Sequence, residues 1–403
     1  MKFLTRLNPI QKTLVIAILA TVVYALTASV SYSAFSMRQV ADSGSEAAGS
    51  KLPGAANKYA EDPREPKTEE CPLNGSMHTK KAKALWDTRR PLAVMIENHT
   101  EARPQSGVSF ADVVYEAVAE GGITRFQAVY LCNSLADVQV GPVRSARTYF
   151  LDWAPSELDA LYAHVGGANC TGGPADPGCQ NGAPADALGQ IITYKIKDLN
   201  QFGIGYPTFW RDYQRLGHSV ATEHTMYSST DKLWAIGAKK GWTASDSAGI
   251  RWDAKVKFWK FKDDAAASGT TTQVHVNFWE GYNDFAVDWT FDKTCNCYKR
   301  NNGGSAHLDL DVNEQLSAKN VVVQFMRESH ANDGYENNAH LLYQNKGQGK
   351  ALIFQNGQAI EGTWNKQTRT SREIFMDSSG KEIEFTRGLI WIQTVPEGSK
   401  VTY

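Results

Sequence analysis

Between Val274 and Val395 the apolar residues arrive in eight short runs, none long enough for a helix of ordinary length. They read VHVNFW, FAVDWTF, NVVVQFM, HLLYQ, KALIFQNG, EIFMD, KEIEFTRG and LIWIQTV. Glycine, asparagine or aspartate separates them, and several alternate in polarity, which predicts strands joined by turns. DSSGKE, at 377–382, reads as a hairpin turn. Residues 256–403 are therefore expected to form a β-rich C-terminal domain.

The preceding region mixes two periodicities. PLAVMIEN (91–98) predicts a buried strand that ends at Asn98. ADVVYEAVAE (111–120) alternates, with Val113, Tyr115, Ala117 and Ala119 on one face. Gly121-Gly122 makes a turn into a third strand, TRFQAVYLC, so the two form a hairpin. DALYAHVGG (159–167) reads as a further strand running into a glycine loop. STDKLWAIGAKKGW (229–242) reads as helix. Together these predict an α/β or α+β N-terminal domain over 87–245. Residues 37–86 are polar, with Tyr59 the one aromatic before Trp86. Such a segment buries too little to offset the entropy of ordering, and a flexible linker is expected there.

Residues 1–36 set the compartment. Lys2, Arg6 and Lys12 precede Thr13–Val30, a run without any charge. Its length borders on a spanning helix, and cations on its N-terminal side predict that the rest of the chain lies outside the cytoplasm. The segment is expected to be a single-pass transmembrane anchor or a cleaved signal, with the membrane as its partner. Lys+Arg number 42 against Asp+Glu 43. That balance lacks the basic face that nucleic acid requires, so nucleic acid is excluded as a partner.

Six cysteines suit an oxidising compartment. Cys170 and Cys179 bracket a Gly/Pro-rich loop and are expected to pair. Cys295-Asn-Cys297 could close only as a small strained ring, so the pairing of Cys71, Cys132, Cys295 and Cys297 stays open. Neither C-x-x-C nor H-E-x-x-H occurs, and no metal is expected. Dinucleotide and phosphate-loop fingerprints are missing too, so no cofactor is expected.

Chemistry-bearing residues concentrate in the first region. GPVRSARTYFLDW (141–153) places Arg144 and Arg147 around Ser145, a candidate N-cap. The stripe Ala146, Tyr149, Phe150 and Trp153 follows, and Pro155 is expected to stop the helix. Cations at the positive end of a helix call for an anion or acid nearby. Asn98, Arg103, Gln105, Glu120, Thr124, Arg125, Arg144, Arg147 and His164 fall at strand ends and turns, where ligands are usually presented. Three readings stay open: an internal salt-bridge network, a site for a carboxylate, phosphate or sulfate, and catalysis by Glu120 and His164. His224 in a loop reads as a structural histidine. Ser229-x-x-Lys232 lacks the companion motifs of a penicillin-recognising enzyme. Tryptophans at strand spacing read as core, with Trp364 the one to inspect for sugar stacking.

PLAVMIEN, ARPQSGVSFADVVYEAVAEGGITRF, VGPVRSAR and HVGG, in that order, resemble the bacterial YerB-like family. GKALIFQNGQAIEGTW, DSSGKEIEF and GLIWIQTVP resemble that family's C-terminal domain. The resemblance covers roughly residues 90–395. It implies a two-domain cell-envelope protein related to lipoproteins and brings no reaction with it. This chain lacks the lipobox cysteine, and an anchoring helix would replace the lipid. A binding or scaffolding role is expected, with a cell-wall polymer or envelope protein as partner. A wall-active hydrolase or transferase using Glu120 and His164 is the alternative.

Overall fold

The computed structural model describes residues 61–170, 182, 184–265 and 269–403. Ten strands form its largest sheet: β1 (Leu92–Glu97), β2 (Val113–Glu120), β3 (Ile123–Tyr130), β4 (Leu161–His164), β5 (Lys197–Asn200), β6 (Asn320–Met326), β7 (Gly347–Gln355), β8 (Gln358–Lys366), β9 (Ile374–Asp377) and β10 (Ile390–Pro396). Their order is β9-β8-β7-β6-β10-β2-β3-β1-β4-β5. The chain is β-rich with few helices. The two expected regions do not hold separate sheets: β10, from the C-terminal region, pairs in parallel with β2 of the N-terminal one. One hydrophobic core draws on both.

The expected hairpin is present. β2 and β3 pair antiparallel with a bulge between Val118 and Glu120, and Gly121 and Gly122 both take positive φ. Such a turn matches the twist of the flanking strands. The expected alternation on β2 is overridden. A second sheet covers one face through Arg300 at Glu116, and Trp153 stacks on Tyr115 at the other, so Val113–Ala119 are buried on both faces. A strand covered by a layer on each face presents no wet side.

A second, smaller sheet, centred on Gln273–Val276, Val287–Asp292 and Cys297–Asn302, pairs antiparallel throughout. It packs on the large sheet through Trp289, whose Nε1 donates to Gln393 Oε1 at 2.9 Å. The Trp289 ring also meets Trp391 edge to face at 5.4 Å. Both tryptophans are fully buried, and Trp364 donates to the Phe325 carbonyl from the core.

Two expectations need correction. Residues 61–86 belong to the fold rather than to a flexible linker. Cys71 forms a disulfide with Cys132, and Trp86 packs edge-on against His78 at 5.2 Å. Burial of Cys71, Leu73 and Trp86 supplies what the local composition lacks. Residues 37–60 lie outside the described residues. The helix expected from Ser145 to Trp153 is broken in two. Thr148–Leu151 starts after an extended Arg147, and Ala154–Glu157 carries Pro155 in its first turn. A proline there gives up no hydrogen bond, so it opens the second helix instead of closing the first.

Cys295 and Cys297 pair with each other. Cys170 is buried, while Cys179 lies outside the described residues, as does Thr13–Val30. Among the described residues no helix is long and apolar enough to cross a membrane. Because the Cys71–Cys132 bridge spans 61 positions, replacing both cysteines with serine is expected to cost about 2–4 kcal/mol. Urea unfolding of the double variant measures this, and unchanged stability would show that the bridge does not hold residues 61–86 in place.

Candidate functional site

β1, β4 and β5 run parallel, so Glu97, His164 and Asn200 reach the same edge of the sheet. β3 runs opposite to β1 and begins at that edge, bringing Arg125 opposite Glu97. Glu120 closes β2 beside it. The segment Val143–Ala146 wedges in where β1 and β4 part. Arg144 N donates to the Met95 carbonyl at 2.9 Å, and Val165 N donates to the Arg144 carbonyl at 3.0 Å. Crevices beyond the carboxyl ends of parallel strands are where sheets of this kind hold ligands.

Glu120 gathers the cluster. Arg125 Nη2 donates to its Oε1 at 2.7 Å, and Arg147 Nη2 contacts its Oε2. Burial works against the charged Glu120 carboxylate, but the guanidiniums of Arg125, Arg147 and Arg144 win and hold its pKa far below the usual range. Arg147 Nη2 also meets His340 Nε2 at 3.0 Å, and His340 Nδ1 bonds Asp333 at 2.6 Å. Burial and the neighbouring Arg147 both lower the His340 pKa. Arg125 Nη1 donates to the Ser145 carbonyl at 3.1 Å. Arg125 and Arg147 are thus buried architecture.

Arg144 differs from both. Its Nε lies 3.1 Å from Glu97 Oε1, and its side chain is 23% exposed. Its two terminal nitrogens have no hydrogen-bond partner among the described residues. The other oxygen of Glu97 takes His224 Nδ1 at 2.8 Å. Burial lowers the His224 pKa, but the hydrogen bond to Glu97 and the charges of Glu97 and Glu223 together outweigh it and leave the value raised. The His99 ring stacks on His224 at 4.7 Å.

The remaining expected residues point inward. Asn98 Nδ2 donates to Thr124 Oγ1 at 2.7 Å and to Asn302 Oδ1 at 2.9 Å. Thr124 donates to Glu116 Oε1 at 3.0 Å. Gln105 Nε2 donates to the Glu97 carbonyl at 2.9 Å, and its Oε1 meets His307 at 2.6 Å. Arg103 wraps the Asn98 carbonyl and reaches the Asp284 carbonyl at 2.9 Å. Asn98, Arg103, Gln105 and Thr124 therefore join the two sheets instead of facing the crevice. His164 is enclosed, with one ring nitrogen on the Gly166 carbonyl at 2.6 Å and the other on Asp198 at 2.8 Å. Glu120 and His164 share no partner, and the arrangement does not set them up as an acid–base pair. Glu97, His224, His340 and Asp333 were not among the expected residues. A charged residue at the end of the otherwise apolar strand LAVMIE was the signal for Glu97.

Comparison with known proteins matches this architecture. Residues 75–243 match the domain described as "Protein of unknown function (DUF3048) N-terminal domain". Residues 274–392 match its C-terminal counterpart. "Putative lipoprotein YerB" of Bacillus subtilis (strain 168) is 28% identical over 317 residues, which are 77% of this chain and 82% of that protein. The crystal structure of YerB protein from Bacillus subtilis superposes with a TM-score of 0.64 at 26% identity, covering 83% of this chain and 100% of that one. Both family domains are present in order, and the fold matches that of YerB: the chain belongs to the YerB-like family.

Proposed function

We propose that this protein acts outside the cytoplasm, at the cell envelope, as a binding module that holds an anionic ligand through Arg144. The name of its Bacillus relative, "Putative lipoprotein YerB", supports an envelope location. Disulfides at Cys71–Cys132 and Cys295–Cys297 suit an oxidising compartment. The charge-free run Thr13–Val30 would tether it to the membrane. The ligand would be an anionic wall component or the acidic group of a partner protein.

One observation carries the reading. Of the three arginines at the sheet edge, Arg125 and Arg147 are consumed by Glu120, while Arg144, beside solvent, keeps both terminal nitrogens without a partner among the described residues. A guanidinium fork so placed matches the paired oxygens of a carboxylate, phosphate or sulfate. Among the described residues Glu120 is taken up by Arg125 and Arg147 and His164 by Gly166 and Asp198, which supports binding over catalysis at these two groups.

Arg144→Ala is expected to change stability by about 1 kcal/mol or less, because His224 still holds Glu97. Sulfate should raise the melting temperature of the wild type by binding the native state, with chloride at matched ionic strength as control. The variant should lose that response. An equal sulfate response in both proteins would remove Arg144 from the site.

A further inference from the structure

Beside this anion site stands a feature the binding reading does not use. Phe202 is 77% exposed and Tyr206, four residues on, is 84% exposed. Single apolar residues at a surface are ordinary. Phe202, however, is fixed. Asn200 Oδ1 accepts from Phe202 N at 3.2 Å and from Gly166 N at 3.1 Å. The edge of the ring rests on Gly166, where an added Cβ would lie 3.0 Å from it, and Gly166 has a φ of +58°. Only a glycine suits that backbone and that close approach. The ring edge is thus anchored and the rest of the ring stays in water.

Gly166 in turn is one hydrogen bond from the arginine segment. Ala146 N donates to the Gly166 carbonyl at 3.0 Å, and Val165 N to the Arg144 carbonyl at the same distance. The aromatic shelf and the arginine are therefore built on adjoining backbone at one sheet edge. Polar and small residues flank Phe202 along the chain: Asn200, Gln201, Gly203 and Gly205. The Asn200 amide nitrogen has no partner among the described residues. Two exposed aromatic rings beside an unpartnered amide suit the apolar faces of sugars, whose hydroxyls bond to the neighbouring donor.

Resting on the anion-site reading, we propose that the ligand is a glycan with an acidic substituent: Arg144 holds the acid and Phe202 stacks on the adjoining sugar ring. The two parts are separable by experiment. Binding of inorganic phosphate, glycerol phosphate, N-acetylglucosamine and N-acetylglucosamine 1-phosphate to the full chain would be measured by calorimetry. The sugar phosphate should bind more tightly than either sugar-free phosphate. Phe202→Ala should weaken the sugar phosphate roughly three- to tenfold and leave inorganic phosphate unchanged. Phe202→Trp should restore the difference. Arg144→Ala should lose phosphate while the weak response to neutral N-acetylglucosamine remains. A sugar increment that is absent, or that survives Phe202→Ala, overturns the shelf and leaves the anion site standing. No phosphate response in the wild type overturns the anion site, and the neutral sugar then reports on the shelf alone. If Phe202→Ala instead abolishes binding to phosphatidylglycerol vesicles and spares the sugar phosphate, the ring meets a membrane and the glycan assignment is wrong.

Discussion

Arg300→Met is expected to destabilise the protein by about 3–5 kcal/mol, the cost of leaving one member of a buried ion pair without its partner. Arg300 and Glu116 are both fully buried, and Arg300 Nη2 reaches Glu116 Oε1 at 2.8 Å and Oε2 at 3.0 Å. Thr124, Trp391 and Gln393 also donate to the same carboxylate, at 3.0, 2.8 and 3.1 Å. With the arginine gone, these neutral donors would remain around an unbalanced charge deep in the interior. The guanidinium also packs 4.8 Å from the Trp391 ring, so its loss opens space between the two sheets. Denaturant unfolding of Arg300→Met and of Arg300→Met with Glu116→Leu measures the effect. The double variant should recover part of the loss, since it removes the buried charge as well as its partner. A single-variant cost below about 1 kcal/mol would mean that the pair does not hold the sheets together.

Glu120→Gln should cost about 3 kcal/mol at neutral pH, because Arg125 and Arg147 are buried and share this carboxylate. The pH dependence has a definite sign. The folded-state pKa of Glu120 lies below the ordinary value of 4.5. Its ionised form therefore contributes fully above the ordinary glutamate pKa, and the contribution is lost as pH falls toward the lower folded value. Glutamine does not titrate. The stability gap between wild type and variant should thus be constant at neutral pH and close progressively below about pH 4.5. A gap that stays the same from pH 7 to pH 3 would show that Glu120 is not held ionised by the arginines.

These two carboxylates mark how far the sequence could be read. Glu116 and Glu120 are four residues apart on one strand, and both appear there as acids on an alternating pattern. One ends as an interior tie to a residue 184 positions away. The other ends at the edge as the anchor of two arginines. Local pattern carries periodicity and turn chemistry, which is why the hairpin at Gly121-Gly122, the many short strands of the C-terminal region and the apolar environment of the tryptophans were legible. It carries no information about which strand lies beside which. Packing of the second sheet and of the Trp153 segment covered both faces of β2, and pairing of β10 next to β2 joined two regions into one sheet.

The same limit applies to the site. Sequence spacing placed Arg144, Arg147, Glu120 and Arg125 among strand ends and turns, and that grouping is what the sheet edge collects. Spacing could not assign roles within it. Arg144 and Arg147 have the same chemistry and lie three residues apart. Arg147 turns inward to Glu120 and His340, while Arg144 turns to Glu97 and solvent. That difference comes from Val143–Ala146 entering between two parallel strands, a contact among segments remote in the chain. The amino-acid sequence by itself determined the strand-rich composition, the turns, the charge-free N-terminal run and the pool of candidate residues, because these depend on neighbours along the chain. The tertiary structure alone decided which charges are neutralised within the protein and which arginine stays beside solvent, because an ion pair depends on distance in space.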